Sequence, residues 1–277
     1  MSILLQISDP HFGTEQPPVV AALLELARAL SPELVVLSGD ITQRARSSQF
    51  AAAAAFTKQL PTRAVIAIPG NHDIPLFNVF ARAFDPYAGF RAAFGANLEP
   101  EYSSESLCVI GVNTTRPTRH KDGEVSREQI ARVADRVRAA SPRQLRIVVV
   151  HQPVHVIRTH DIGNLLHGHE DAVRAWSSAG ADIVMGGHIH LPYVRALNEH
   201  ITGLDRRIWA VQAGTAVSHR VRHEAPNSVN VLRYEAGEGR CVVEQWNHAA
   251  TEQAFRRAET TELPLTSPEG RGRAERG

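Results

Sequence analysis

Five apolar runs in this chain end in the same kinds of residue, and that repetition restricts the fold more than any other feature. Residues 3–8 lead into Asp9 and His11, residues 34–38 into Gly39 and Asp40, and residues 64–68 into Gly70, Asn71, His72 and Asp73. Residues 147–150 lead into His151, and residues 183–185 into His188 and His190. A strand buried on both faces reads as a near-continuous Val, Ile and Leu run, and open α/β sheets collect ligands beyond the carboxyl ends of such strands. Five strand ends therefore deliver Asp, His and Asn to one rim. Carboxylate, imidazole and amide oxygen form the donor set of a hard-to-borderline divalent cation.

The segments between these runs supply helical crossovers. Residues 17–30 carry Val20, Leu23, Leu24, Leu26, Ala27 and Leu30 at helical spacing before Ser31 and Pro32. Residues 47–60 are alanine-rich with Phe50, Phe56 and Leu60 as anchors, and Pro61 stops them. Strand, helix, strand units of this kind predict parallel pairing. Residues 74–102 read as a cap over the rim, residues 107–113 as a further strand, and residues 126–140 as a helix with Ser126 and Gln129 in capping-box spacing. After His190 come short β-rich runs around residues 193–197, 207–211, 228–234 and 241–246, which read as antiparallel. One domain is expected over residues 1–257, with a disordered charged tail over 258–277.

At 277 residues the chain can bury roughly three quarters of its unfolded surface, so core-building is no constraint. Thirty basic against 29 acidic residues leave a formal charge of +1, which gives no electrostatic case for a nucleic-acid-coating surface. Cys108 and Cys241 sit in apolar runs and read as packing residues. No stretch has the roughly 18 uninterrupted apolar residues of a membrane span, and the start lacks a signal-peptide pattern, so a cytoplasmic protein is the expectation.

At the rim, Asp9 and His11 are two apart and would face one side of an extended strand. Asp40 has two oxygens with which to bridge two cations, Asn71 adds a neutral oxygen, and Gly186 and Gly187 before His188 allow close backbone approach. An isolated Asp-x-His or a lone histidine at a strand end is ordinary. Five such blocks in order are not.

Read as Asp9-x-His11, Gly39-Asp40, Gly70-Asn71-His72-Asp73, His151 and Gly187-His188-x-His190, the sequence resembles the calcineurin-like metallophosphoesterase superfamily over about residues 3–195. Within it, single-domain bacterial proteins similar to class III cyclic-nucleotide phosphodiesterases are the best match. The run Gly123-Glu124-Val125-Ser126 with Glu128-Gln129 resembles a strand-loop-helix segment of that group. The resemblance implies a four-layer α/β/β/α sandwich with two mixed β-sheets flanked by helices, the C-terminal antiparallel strands making much of the second sheet. It implies one divalent metal ion on Asp9, His11, Asp40 and His190, and another on Asp40, Asn71, His151 and His188, each Mn, Fe or Zn.

Two such cations about 4 Å apart lower the pKa of a bridging water and clamp phosphoryl oxygens. His72, beside Asn71, is then the expected proton donor to the leaving group or a stabiliser of the transition state. Asp73 either orients His72 or anchors its loop. In the protein-phosphatase branch Asp, Arg and Gly stand where this chain has Gln43, Arg44 and Ala45, which counts against that branch and leaves Arg44 as a candidate phosphate contact. Arg116 and His120, in a basic loop with Arg119 and Lys121, are further candidate substrate contacts, alongside Asp73. His167 and His169 read as surface or capping residues. The implied activity is hydrolysis of a small phosphodiester, a cyclic nucleotide first. Phosphomonoesterase, lipid-linked pyrophosphatase or nuclease chemistry would use the same centre. A non-catalytic metal-binding scaffold is the alternative of another class, against which His72 and the seven candidate ligands stand.

Overall fold

The computed structural model describes residues 1–222 and 225–266. Twelve strands and six α-helices run in the order β1 (Ser2–Ile7), α1 (Pro17–Leu30), β2 (Leu34–Ser38), α2 (Ser47–Thr57), β3 (Ala64–Ile68), α3 (Val79–Phe84), α4 (Ala88–Phe94), β4 (Glu101–Ser103), β5 (Leu107–Gly111), α5 (Arg127–Ala139), β6 (Leu145–Val149), α6 (His169–Ala179), β7 (Ile183–Gly186), β8 (Tyr193–Ala196), β9 (Trp209–Gln212), β10 (Ser228–Glu235), β11 (Arg240–Ala249) and β12 (Ala254–Leu263). They form two six-stranded sheets, β12-β11-β10-β1-β2-β3 and β4-β5-β6-β7-β9-β8.

Alternation along the strands explains the layers. In β1 and β2, Leu5, Ile7, Val35 and Leu37 face outward into an apolar cluster with Leu23, Ala27 and Phe50 from α1 and α2. Their neighbours Leu4, Leu34 and Val36 face inward, against Leu145, Ile147 and Val149 of β6 and Met185 of β7. On the far side of the second sheet, Val148 and Val184 meet Val133, Val137 and Trp176 of α5 and α6. With side chains alternating about every second residue, each strand feeds two apolar layers, which is why the runs carry so few polar residues. The architecture is an α/β/β/α sandwich.

Two expectations change. The C-terminal strands divide: β10 pairs antiparallel with β1 and carries β11 and β12 into the first sheet, and only β8 and β9 join the second. Moreover β9 runs parallel to β7, Ile183 opposite Trp209 through Gly186 opposite Gln212, so its carboxyl end points at the same rim. The tail boundary at residue 258 also moves, because β12 pairs with β11 as far as Leu263. Its Arg256, Arg257, Glu259 and Glu262 are the charges expected on an exposed edge strand. The remainder of the expected tail, 267–277, lies outside the described residues.

Local signals behaved as read at α5, where Ser126 Oγ accepts from the Gln129 backbone N–H and Gln129 Oε1 accepts from that of Ser126. Cys108 and Cys241 are both free thiols.

Candidate metal centre

The five strand ends meet where the carboxyl edges of the two sheets lie side by side: β1, β2 and β3 from one, β6 and β7 from the other. Asp9 and His11 do not continue an extended strand. Both take left-handed backbone, at φ 50° and 45°, as do Asp40 at 49°, His188 at 72° and His190 at 53°. Non-glycine residues pay for that region, and such strain clusters where a site over-determines the backbone. Two glycines make the approach feasible. Gly39 has φ +95°, and a Cβ on it would stand 2.3 Å from His151 Nδ1. A Cβ on Gly187 would stand 2.0 Å from Ser8 Oγ and 2.5 Å from Asp9 Oδ2.

The donor atoms form two groups, Asp9, His11 and His190 in one and Asp40, His151 and His188 in the other, with a third, His11, Asp40 and His72, spanning them. In the first, His190 Nε2 is 3.2 Å from Asp9 Oδ1 and 3.1 Å from His11 Nε2. Asp40 reaches both, its Oδ2 3.8 Å from His11 Nε2 and its Oδ1 3.3 Å from His151 Nε2. Carbonyl acceptors fix the ring tautomers, since a carbonyl can only accept. His151 Nδ1–H donates to Ser38 O at 2.9 Å and His190 Nδ1–H to Arg220 O at 2.7 Å, leaving each Nε2 turned inward. Asp9 is held the same way: its Oδ2 accepts from Ser8 Oγ at 2.6 Å and from the His188 N–H at 2.9 Å.

The unsatisfied atoms test whether cations fit. Asp9 Oδ1, Asn71 Oδ1, His151 Nε2 and both ring nitrogens of His188 are buried without a hydrogen-bond partner. Each orphaned buried polar atom costs about 1–3 kcal/mol, so a cluster of them needs a ligand. Carboxylate, amide oxygen and imidazole nitrogen converge here, a donor set that suits divalent cations.

Protonation in the metal-free protein follows from burial against charge. Burial opposes ionisation of Asp9, yet the charges of His190 and His151 bring it down to about 2. Asp40 is likewise held well below the usual carboxylate range, against its burial, by His151, His72 and His11. Burial drives His11 and His188 down to about 3, so both are neutral. Against its own burial, His151 is raised to about 9 by Asp40, and His190 is raised by Asp9. A cation held by these imidazoles would need both neutral, so its loading would expel the His151 and His190 protons. Metal affinity is therefore expected to climb as pH rises from 6 toward 9, with proton release visible by calorimetry in buffers of different ionisation enthalpy. Uptake independent of pH across that window would contradict this charge assignment.

His72 stands at the edge of both groups, its ring 4.9 Å from that of His11. Its nitrogens are committed outward: Nδ1–H donates to Gln43 O at 2.9 Å, and Nε2 lies 3.2 Å from Arg220 Nη1. An open cleft of about 230 Å³ begins here, lined by Gln43, Arg44, Asn71, His72, Ile74, Leu76, His120 and Lys121. Arg44 and His120 border this cleft, Arg44 also packing 5.0 Å over the Phe77 ring.

The other two candidates are placed elsewhere. Asp73 is buried, and its carboxylate accepts from the N–H groups of Ile41, Thr42 and Gly70 and from Thr42 Oγ1, at 2.7–3.0 Å. It ties the loop after β2 to the loop after β3, which answers the open choice in favour of the anchor. Burial and the Asp40 charge push it up to about 6. Arg116 spends its guanidinium on Asn113 O, Thr115 O and Gln129 Oε1, a brace between loop and α5. His167 is exposed, and His169 opens α6 with Nδ1–H donating to Leu166 O at 2.8 Å.

Sequence reading missed Ser8, Gln43 and Arg220. Ser8 and Gln43 adjoin motif residues and were legible by position. Arg220 follows β9, whose parallel placement makes it a sixth strand end at the rim.

A two-sheet sandwich carrying paired Asp and His groups at its joined carboxyl edges defines a dimetal phosphoesterase class of fold. The calcineurin-like phosphoesterase family model matches residues 3–192, and the chain belongs to that family. It is 26% identical over 204 residues to a probable cyclic nucleotide phosphodiesterase of Synechococcus sp., covering 69% of this chain and 74% of that one. Among solved structures it is similar to a dimetal phosphatase from Danio rerio, with TM-score 0.65, 14% identity and coverage of 96% and 99%. It is similar also to a purple acid phosphatase from yellow lupin seeds, with TM-score 0.69 and 11% identity over 98% of this chain and 55% of the other, so it spans about half that enzyme's length. These two likenesses show the fold. Among the described residues no helix is long and apolar enough to cross a membrane.

Proposed function

We propose that this chain is a dinuclear-metal phosphoesterase hydrolysing a small phosphodiester, with a cyclic nucleotide as the first substrate to try. The observation that carries the reading is Asp40, whose two oxygens each face a different histidine group. Asp9, His11, Asp40 and His190 would hold one cation, and Asp40, Asn71, His151 and His188 the other, with Mn, Fe or Zn as the metal. Bound there, divalent cations supply an acidified water and neutralise phosphoryl oxygen charge. The chain supplies the rest. Ser38 and Arg220 carbonyls fix the ring orientations, Asp73 fixes the two loops, and His72 turns toward the cleft its Nε2, which accepts from Arg220 when no ester is bound and as an imidazolium would donate a proton to the leaving oxygen. Arg44 and Lys121 give the cleft a cationic wall suited to a phosphoester, with His120 beside them. Diester preference is supported by likeness to the cyanobacterial relative.

A second reading has its own observation. Phe77, Phe80 and Phe84, in and just before α3, are 76%, 74% and 85% exposed, and Phe77 lies against Arg44 of the cleft wall, so this apolar segment suits an ester with a hydrocarbon arm, such as a lipid-linked pyrophosphate. Metal-loaded protein assayed in parallel on cyclic AMP, a nucleoside monophosphate, a diphospholipid and single-stranded DNA separates them. Fastest turnover of cyclic AMP is expected. Preference for the diphospholipid moves the assignment to the second reading, and no turnover of any ester removes both.

A further inference from the structure

Arg220 is a half-buried cation at the mouth of the centre, facing an amide oxygen and an imidazole rather than a carboxylate. Its Nη1 lies 3.2 Å from Gln43 Oε1 and 3.2 Å from His72 Nε2, and among the described residues no carboxylate pairs with it. Of the other half-buried arginines, Arg206 is neutralised by Asp182 at 2.8 Å and Arg222 by Asp161 at 3.0 Å, while Arg82 and Arg116 give their guanidiniums to carbonyl and amide oxygens away from the donor groups. The position of Arg220 is also fixed. Its carbonyl takes the His190 Nδ1–H, its N–H donates to Ser218 Oγ at 3.1 Å, and Ser218 Oγ contacts Thr215 Oγ1, which donates to Asp9 O at 2.6 Å. The loop that orients His190 therefore delivers the guanidinium to the reacting side of His72.

Resting on the phosphoesterase reading, we propose that Arg220 is a phosphoryl-binding residue of this centre. An amide oxygen and an imidazole nitrogen are weaker acceptors than an anionic phosphoryl oxygen, and a guanidinium matches the spacing of two such oxygens. When an ester occupies the cleft, Arg220 passes its N–H bonds from Gln43 and His72 to a non-bridging oxygen. That transfer clears His72 Nε2 to face the leaving group. No bond to Arg220 forms or breaks.

The experiment compares full-length, metal-loaded wild type, Arg220→Ala and Arg220→Lys, with inorganic phosphate as the probe. Calorimetric phosphate affinity is expected to fall by about 10- to 100-fold in Arg220→Ala, the size of a lost charge-assisted contact. Ester KM should rise with it, metal content should stay unchanged, and Arg220→Lys should recover part of the phosphate affinity. Equal phosphate affinity in Arg220→Ala and wild type overturns the proposal while leaving phosphoesterase activity intact. Loss of metal in Arg220→Ala without rescue by lysine reduces the residue to a support for His190 and overturns it too. A wild type that neither binds phosphate nor cleaves any ester removes the phosphoesterase reading itself, and the proposal with it.

Discussion

Replacing Asp40 by asparagine is expected to lower kcat/KM by about 10³-fold or more and to cut bound metal from two ions per chain to one or none. Each cation contributes several kcal/mol of charge stabilisation in a phosphoryl transfer, and every 1.36 kcal/mol is tenfold in rate. Asp40 is the only carboxylate whose two oxygens face different histidine groups in the centre. Asparagine keeps the shape, and one oxygen can still accept the 2.8 Å bond from the His72 N–H, so the loop should survive. What it cannot do is present a second anionic oxygen. The lost charge also leaves Asp9 as the only carboxylate in the two groups, with four surrounding imidazoles. Metal analysis by plasma mass spectrometry, with thermal melting to show an intact fold, checks the outcome. A variant that keeps two metals and full activity would show that Asp40 does not bridge.

The strand ends were readable because burial on both faces forces long Val, Ile and Leu runs, so the first polar residue marks where the strand leaves the core. That logic located Asp9, Asp40, Asn71, His151 and His188 without any knowledge of pairing. It could not say which strands share a sheet, because pairing depends on contacts far apart in sequence. β1 takes β10, 224 residues away at the Gln6 to Asn230 pair, and β7 skips β8 to pair with β9. Treating residues 207–211 as one more antiparallel run hid the strand end that carries Arg220.

Composition misled at the other end. The charges of β12 resemble those of a disordered tail, although Arg256, Arg257, Glu259 and Glu262 suit an exposed edge strand equally well. Asp73 and Arg116 show the same limit at the level of single residues. Both had the chemistry of substrate contacts, and both are used by neighbouring backbone, a choice set by tertiary packing rather than by residue type. The left-handed backbone of Asp9, His11, Asp40, His188 and His190 was equally invisible, since nothing in those residue types demands it.

His72→Ala is expected to separate leaving groups rather than to stop catalysis outright. Positioned proton transfer contributes about 10²- to 10⁴-fold, and it matters only as far as the leaving oxygen needs a proton. A ribose alkoxide, very basic, should lose that full factor. A nitrophenolate, stable as an anion near neutral pH, should lose little. Both metals should remain, because each paired donor group keeps its three residues without His72, whose hydrogen bonds run to Gln43 and Arg220, and the backbone N–H that steadies Asp40 survives the substitution. Steady-state rates on a series of aryl and alkyl phosphodiesters make the distinction. A loss of equal size across the series would mean that His72 hydrogen-bonds the phosphoryl group instead of protonating the departing oxygen. No loss on any ester would remove it from the chemistry, and the closeness of Arg220 to its Nε2 would then have no bearing on turnover.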